Sequence, residues 1–350
     1  MPTALPYGTI RALLRAVLAT VLSLPLFLPS SPATADDTLE FDVGGLMFGD
    51  IYHVPSHHTP EGDGATGTVI RRIFLTTDAR YGDTWTGRLR FEAYHEGAFE
   101  NYEFSHRIQD FGIGKKVAGH QISGGLIPTI SFDLIEAFWG KRYLVRTAPD
   151  IQGIPARDLG VSAKGPLTES GNWSYRAMYG SRETWEADKN PYDKFMGAVT
   201  WRPTPGVMVD AYVDHEARPG RYDRSTYQLF AAQRTDQYSL ALVYTNQDRQ
   251  DDPPLELAAL MGVAHVSDKI DLITQVQRLF EPSSKGNDIA YIPFDPTATA
   301  TNIVAGVEYR LSDHIFITPN VVWTHYGVNP EGVRPKDDLQ LRLTFFFNYE

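Results

Sequence analysis

The sequence predicts an all-β fold, a closed transmembrane antiparallel β-barrel of about 16 strands. Three observations predict it. Segment after segment alternates with period two, short and long connections take turns along the chain, and an export signal is followed by no apolar helix.

The export signal comes first. Arg11 and Arg15 precede the apolar run AVLATVLSLPLFLP, and Ala33-Thr34-Ala35 is a small-x-small cleavage site with acids just after it. Residues 1–35 are therefore expected to be a cleaved signal peptide and 36–350 the barrel. Pro25 and Pro29 interrupt the run, which argues against a membrane anchor. Beyond it no stretch of about twenty apolar residues occurs, the length a spanning helix needs.

Alternate side chains of a strand stand on opposite faces. GRLRFEAYH sets Leu89, Phe91 and Ala93 against Arg88, Arg90 and Glu92. NWSYRAMYG sets Trp173, Tyr175, Ala177 and Tyr179 against Ser174, Arg176 and Met178. DQYSLALVYTN sets Tyr238, Leu240, Leu242 and Tyr244 against Ser239, Ala241, Val243 and Thr245. NIVAGVEYRLSD sets Ile303, Ala305, Val307, Tyr309 and Leu311 against Gly306, Glu308 and Arg310. The end of the chain, LQLRLTFFFNYE, sets Leu339, Leu341, Leu343, Phe345, Phe347 and Tyr349 against Gln340, Arg342, Thr344, Phe346 and Asn348.

Short turns fall at 78–83, 116–121, 165–172, 202–207, 234–237, 267–269 and 311–314. Between them lie longer links rich in Pro, Gly and charge, at 54–67, 96–106, 182–193, 248–256, 281–298 and 327–337, and the longest at 128–157. In a transmembrane barrel the turns face the periplasm and the long links face outside. A soluble sandwich or propeller would also alternate. It does not require short and long connections to take turns, nor Arg88, Arg90, Arg176, Arg310 and Arg342 on the polar faces of successive strands.

Composition narrows the function. The chain has 350 residues, no Cys, a formal net charge of −11 and 12% aromatics. Absence of Cys excludes disulfide scaffolds, Cys-ligated zinc and Cys nucleophiles. The acidic balance argues against nucleic acid as a partner. Mean hydropathy is −0.28, which a barrel tolerates because lipid-facing and lumen-facing residues average out.

GLMFGDIYH after the signal, HQISGGLIPT before the longest link, RDLGVSAKGPL after it and the aromatic final strand together resemble Gram-negative outer-membrane porins, nearest to the phosphate/pyrophosphate-selective (porin O and P) group. The resemblance implies a sixteen-stranded outer-membrane barrel, usually a homotrimer, with its third loop folded into the lumen. It also implies that the barrel-insertion machinery recognises the final strand, through Phe347 or Tyr349. That group's selectivity rests on a dense basic cluster. Here Arg72, Arg88, Arg90, Lys164, Arg176, Lys194, Arg310 and Arg342 are spread along the chain, with Glu92, Asp210, Asp214, Asp271 and Glu308 among them. The expected function is a passive diffusion channel for small hydrophilic solutes or ions, with weak anion preference at most. No enzyme activity and no cofactor are expected. The alternative is an outer-membrane barrel enzyme or a surface or adhesin barrel without an open pore.

Residues 128–157 match the inserted loop by order and length. ISFDLIEAFWGKR reads as a short helix with Ser131 as N-cap and an apolar face of Phe132, Ile135, Phe138 and Trp139. Asp133, Glu136, Lys141, Arg142, Arg146, Asp150 and Arg157 are then candidates to line the constriction, about half of them engaged in structural pairs. His53, His57 and His58 cluster in the first link, where solvated histidines are expected and no metal site is assigned. Asp248, Asp251, Asp252 and Glu256 form an acidic link, expected to be a hydrated loop, with divalent ions held against lipopolysaccharide as the alternative reading. No Gly-x-Ser-x-Gly or His-Glu-x-x-His motif is present.

Overall fold

In the computed structural model, residues 38–95, 97, 104–181, 193–218, 222–249 and 253–349 are described. Residues 1–37, most of 96–103, the link at 182–192, and Asp251 and Asp252 lie outside them. Sixteen strands form one closed sheet, each hydrogen-bonded to its neighbours in sequence. They are β1 (Leu39–Ser56), β2 (Thr66–Tyr81), β3 (Trp85–His95), β4 (Phe104–Val117), β5 (His120–Pro128), β6 (Arg157–Pro166), β7 (Trp173–Gly180) and β8 (Asp193–Trp201). The second half comprises β9 (Val207–Ala217), β10 (Arg224–Arg234), β11 (Tyr238–Asp248), β12 (Leu255–Ser267), β13 (Ile270–Leu279), β14 (Ala300–Arg310), β15 (Ile315–Tyr326) and β16 (Asp338–Tyr349).

Every pairing is antiparallel, and β1 closes the ring on β16 in the register Ile51↔Leu343 and Gly45↔Tyr349. No edge remains along the paired length, and the ladders run along it apart from a few irregularities, as at Pro319, which has no N–H. A sheet needs both to stand in hydrocarbon. Short turns alternate with longer links along most of the chain. One long-side link, residues 218–223 between β9 and β10, is not marked by the sequence signals. At six residues its length is that of a turn.

Parity decides what each face meets. Leu341 and Leu343 point outward and exposed, while Gln340, Arg342 and Thr344 are buried inside. Ile113, Val161, Leu229 and Leu242 continue the outer apolar belt, each more than half exposed. Trp85, Trp173, Trp201, Tyr238, Tyr309 and Tyr349 ring its short-turn end, and Phe104, Phe195, Tyr227, Phe280 and Trp323 stand toward the other. These are the two aromatic girdles of a barrel that crosses a bilayer.

The inner face is not uniform. On β10–β15 it carries Phe230, Ala241, Val243, Met261, Ile273 and Val304, all buried. Loop 3, residues 129–156 between β5 and β6, lies against them. Its helices α1 (Asp133–Trp139) and α2 (Ala148–Ile151) bury Ile135, Phe138, Trp139 and Ile151 in that same cluster. Phe138 meets Phe230 edge-on at 5.7 Å. Gly140, at φ 62°, ends α1 in the left-handed region, and its N–H donates to the Glu136 carbonyl at 2.9 Å. The N-cap differs from expectation. Phe132 occupies it without a side-chain cap bond, and Ser131 Oγ pairs with Thr129 Oγ1 at 3.1 Å instead. Phe132 therefore leaves the apolar stripe of α1.

An arginine on the outer belt tests the orientation of the wall. Leu343→Arg is expected to cost about 2–4 kcal/mol near mid-bilayer and Leu311→Arg, in a turn, about 0–1 kcal/mol. Urea unfolding in lipid vesicles measures both.

Candidate functional site

The lumen beside loop 3 repeats one arrangement, a carboxylate shared by two guanidinium groups. Asp50 on β1 lies 2.9 Å from Arg71 Nε and 4.0 Å from Arg342. Glu92 on β3 bonds Arg72 and, at 2.8 Å, Arg107. Asp110 on β4 lies 2.7 Å from Arg157 and 3.6 Å from Arg90. Asp150 on α2 lies 2.6 Å from Arg142 and 3.7 Å from Arg146. Burial alone would push the Asp150 carboxyl up, but Arg142 and Arg146 outweigh it and hold it down to about 2. Each sharing sets two guanidinium groups on one carboxylate, and Glu136 adds a second carboxylate beside Arg142.

Two of these arginines are placed by irregularities. The register of β1 against β2 shifts after Phe48↔Arg72, so that Gly49 faces Ile70. The extra residue is Arg71, and both Arg71 and Arg72 consequently reach inward, as a bulge allows. A second shift between Arg90 and Phe91 lies beside Asp110. The sequence candidates include Arg72, Glu92, Asp150, Arg142 and Arg146 of these groups, but not Arg71, Asp50, Arg107 or Asp110. The signal was present for Asp50, which shares parity with Phe48.

All seven candidates of loop 3 and its end have ionic partners. Asp133 stands 3.8 Å from Lys164 and 3.7 Å from Arg176, and Glu136 3.3 Å from Arg142. Lys141 lies 2.8 Å from Glu308 and 3.2 Å from Asp271, and Tyr143 donates to Glu308. Among the inward basic residues, Arg88 pairs with Asp78 at 2.7 Å near the short turns. Arg176 bonds Asp210 at 3.0 Å, and Lys194 bonds Asp214 at 2.9 Å. Arg310 stands 3.8 Å from Asp271. The basic residues that are scattered in sequence are thus sorted in space. Arg71, Arg72, Arg90, Arg107, Arg142, Arg146 and Arg157 gather where loop 3 faces β1–β4, and more evenly balanced pairs stand elsewhere.

Two cavities adjoin this cluster. One of about 470 Å³ is bounded by Leu46, Phe74, Arg90, Arg142, Arg157 and Phe346 among others. Another of about 420 Å³ opens toward the short turns against Arg88, Asp110, Asp133 and Lys164. Loop 7, residues 280–299, borders the other side of loop 3. Its Tyr291, held at φ 69°, donates to the carbonyls of His95 and, at 3.1 Å, Arg71. Ser283 donates to Gln152 of loop 3 at 2.7 Å.

The histidines do not form the sequence cluster. His53 sits exposed beside Thr66 at 3.0 Å. His57 and His58 stack at 4.4 Å, and their ligand atoms and those of Asp338 lie within 4.8 Å of one another. His57 Nδ1 accepts from the Thr59 amide at 3.0 Å. His58 spans Asp338 at 2.9 Å and Asn287 Oδ1 at 2.7 Å, both acceptors. A ring between two acceptors is favoured in its charged form. This set therefore joins loop 1, residues 57–65, to β16 and loop 7, and a metal would have to displace those bonds.

No protein-family model and no curated protein matches the sequence. Solved structures match over nearly the whole barrel. An anion-selective porin from Comamonas acidovorans has a TM-score of 0.62 at 12% identity, covering 89% of this chain and 100% of that one. The outer membrane channel DcaP of Acinetobacter baumannii has a TM-score of 0.62 at 11% identity, covering 89% and 97%. A trimer form of OmpT, an outer membrane protein of Vibrio cholerae, has a TM-score of 0.59 at 12% identity, covering 89% and 100%. At such identities the likeness is one of fold, the porin barrel in general rather than its phosphate-selective branch.

Two outcomes are expected. Asp50→Asn leaves Arg71 and Arg342 facing each other and costs about 3–5 kcal/mol, the range for breaking a buried pair, measured by urea unfolding in vesicles. Burial favours the neutral His58 ring, but its bonds to Asp338 and Asn287 outweigh that and raise its pKa above 6.5. Its hold on loop 1 is then complete below 6.5 and fades as pH rises through the raised value. Amide exchange over residues 57–65 should speed up across that window in the wild type, beyond the intrinsic pH dependence, and not in His58→Asn.

Proposed function

We propose that the protein is an outer-membrane porin, a passive channel for small hydrophilic solutes or ions with a preference for anions. One observation carries it: the strands that present Leu and Phe outward present arginine inward, around cavities beside an infolded loop. Asp133, Glu136, Lys141, Arg142, Arg146, Asp150 and Arg157 are the proposed constriction, facing Arg72, Arg90 and Arg107 across it. The excess of guanidinium over carboxylate there lowers the electrostatic cost of an entering anion and raises that of a cation. It exists in spite of a net charge of −11 for the whole chain, because the field at a narrowing is set by the groups nearest it.

The chemistry needs no cofactor and no bond is made or broken. Lipid and lipopolysaccharide are the proposed surroundings of the outer belt. A homotrimer is the proposed assembly, supported by the trimer form of one structural neighbour. Phe347 and Tyr349, both outward at the end of β16, are proposed as the signal for barrel insertion.

Reversal potential in a salt gradient across a planar bilayer tests conduction and charge preference together. The wild type is expected to favour anions, and Arg142→Glu with Arg146→Glu to move the potential toward cations. A potential that does not move would remove these residues from the constriction, and an inserted protein that passes no current would favour a closed surface barrel or a barrel enzyme.

A further inference from the structure

On β16 the inward row runs Gln340, Arg342, Thr344 and then Phe346, an apolar side chain where a water-filled barrel ordinarily places a polar one. Phe346 is not isolated. It meets Phe316 of β15 at 5.5 Å and Tyr143 of loop 3 at 4.7 Å. Phe48 and Phe74 stack at 6.5 Å on β1 and β2. Leu46, Phe316 and Phe346 are only half-buried, and all three border the cavity of about 470 Å³.

Guanidinium groups stand around the same cavity, and they lie on ring faces. Arg142 and Arg157 sit 5.2 and 4.8 Å from the centre of Phe132, and Arg310 5.7 Å from that of Phe316. Arg142 makes both of its carboxylate contacts through Nη1. Arg157 uses Nε toward Asp110 and Nη1 toward the Ala156 carbonyl. Among the described residues these bonds leave Nη2 of each to donate to a ligand.

We propose that this wall is a subsite for solutes that join a carboxylate to a flat aromatic ring. The inference rests on the channel reading. The carboxylate takes the Arg142 and Arg157 donors, and the ring lies against Phe346 and Phe316. The cavity has the size of a small-molecule site, and it joins apolar side chains (Leu46, Phe48, Phe74, Phe316 and Phe346) to charged ones, the carboxylates Glu136 and Glu308 among them. An inorganic anion gains nothing from the phenyl wall, and a sugar would turn hydroxyls toward rings that cannot bond them. Phenyl side chains reward a ring that can stack offset or edge-on.

Single-channel recording with equal concentrations of sodium benzoate, cyclohexanecarboxylate and acetate tests the proposal. Benzoate is expected to interrupt the current at a concentration about tenfold below that of acetate, the ratio that corresponds to one ring–ring contact. Phe346→Ala and Phe316→Ala should bring benzoate to within about twofold of acetate. Open channels on which benzoate and acetate act alike would overturn the subsite and leave the porin intact. Cyclohexanecarboxylate as effective as benzoate would overturn the preference for a flat ring, even if both variants failed to insert. A correctly inserted wild type that never conducts would overturn the channel reading and the subsite with it.

Discussion

The arrangement on which the interior depends is the carboxylate held between two arginines. A single Arg–Asp pair in a lumen cancels itself and orients one side chain. A shared carboxylate orients two planar guanidinium groups at once and still leaves a net positive charge. Asp50, Glu92, Asp110 and Asp150 do this on β1, β3, β4 and α2. The cations are thereby fixed in direction with fewer carboxylates than one-to-one pairing would need. Seven or eight free arginines in the same space would repel one another, and fully matched pairs would leave no field.

Loop 3 adds the complementary requirement. Irregular backbone at membrane depth must find partners inside the protein. The wall supplies them from inward side chains. Arg71 donates to the carbonyls of Tyr143 and Leu144, and Arg176 to that of Ile130 at 3.2 Å. Arg234 donates to the Phe138 carbonyl at 2.5 Å, and Gln275 to that of Arg146 at 3.2 Å. Several basic side chains of the lumen are therefore occupied in holding a loop. Counting inward arginines along the strands overstates what a passing ion would meet.

How much of this was legible follows from the physics of each feature. The wall was legible because period two is a local property, and LQLRLTFFFNYE displays it over twelve residues. The arginine cluster was not legible. Arg71 reaches the lumen through a bulge that alternation cannot register, and Asp110 meets Arg157 from 47 positions away. Ser131 was the reasonable N-cap by type. Thr129 sits close enough to take its hydroxyl, and a one-residue offset moved Phe132 from the helix stripe to the guanidinium groups.

That offset ties the two halves of the barrel together. The apolar inner wall of β10–β15 is covered by α1 and by the segment after it, and the two cavities lie toward β1–β6 and the short-turn ends of β14–β16. Phe132 stands at the junction, next to a helix whose apolar face is committed to the first wall, with Arg142 and Arg157 on its ring and the second wall beyond. Asymmetry of the lumen is thus a consequence of packing before it is one of charge. Hydrophobic burial places loop 3 on one side, and the carboxylates then decide how many of the arginines left facing it remain positive.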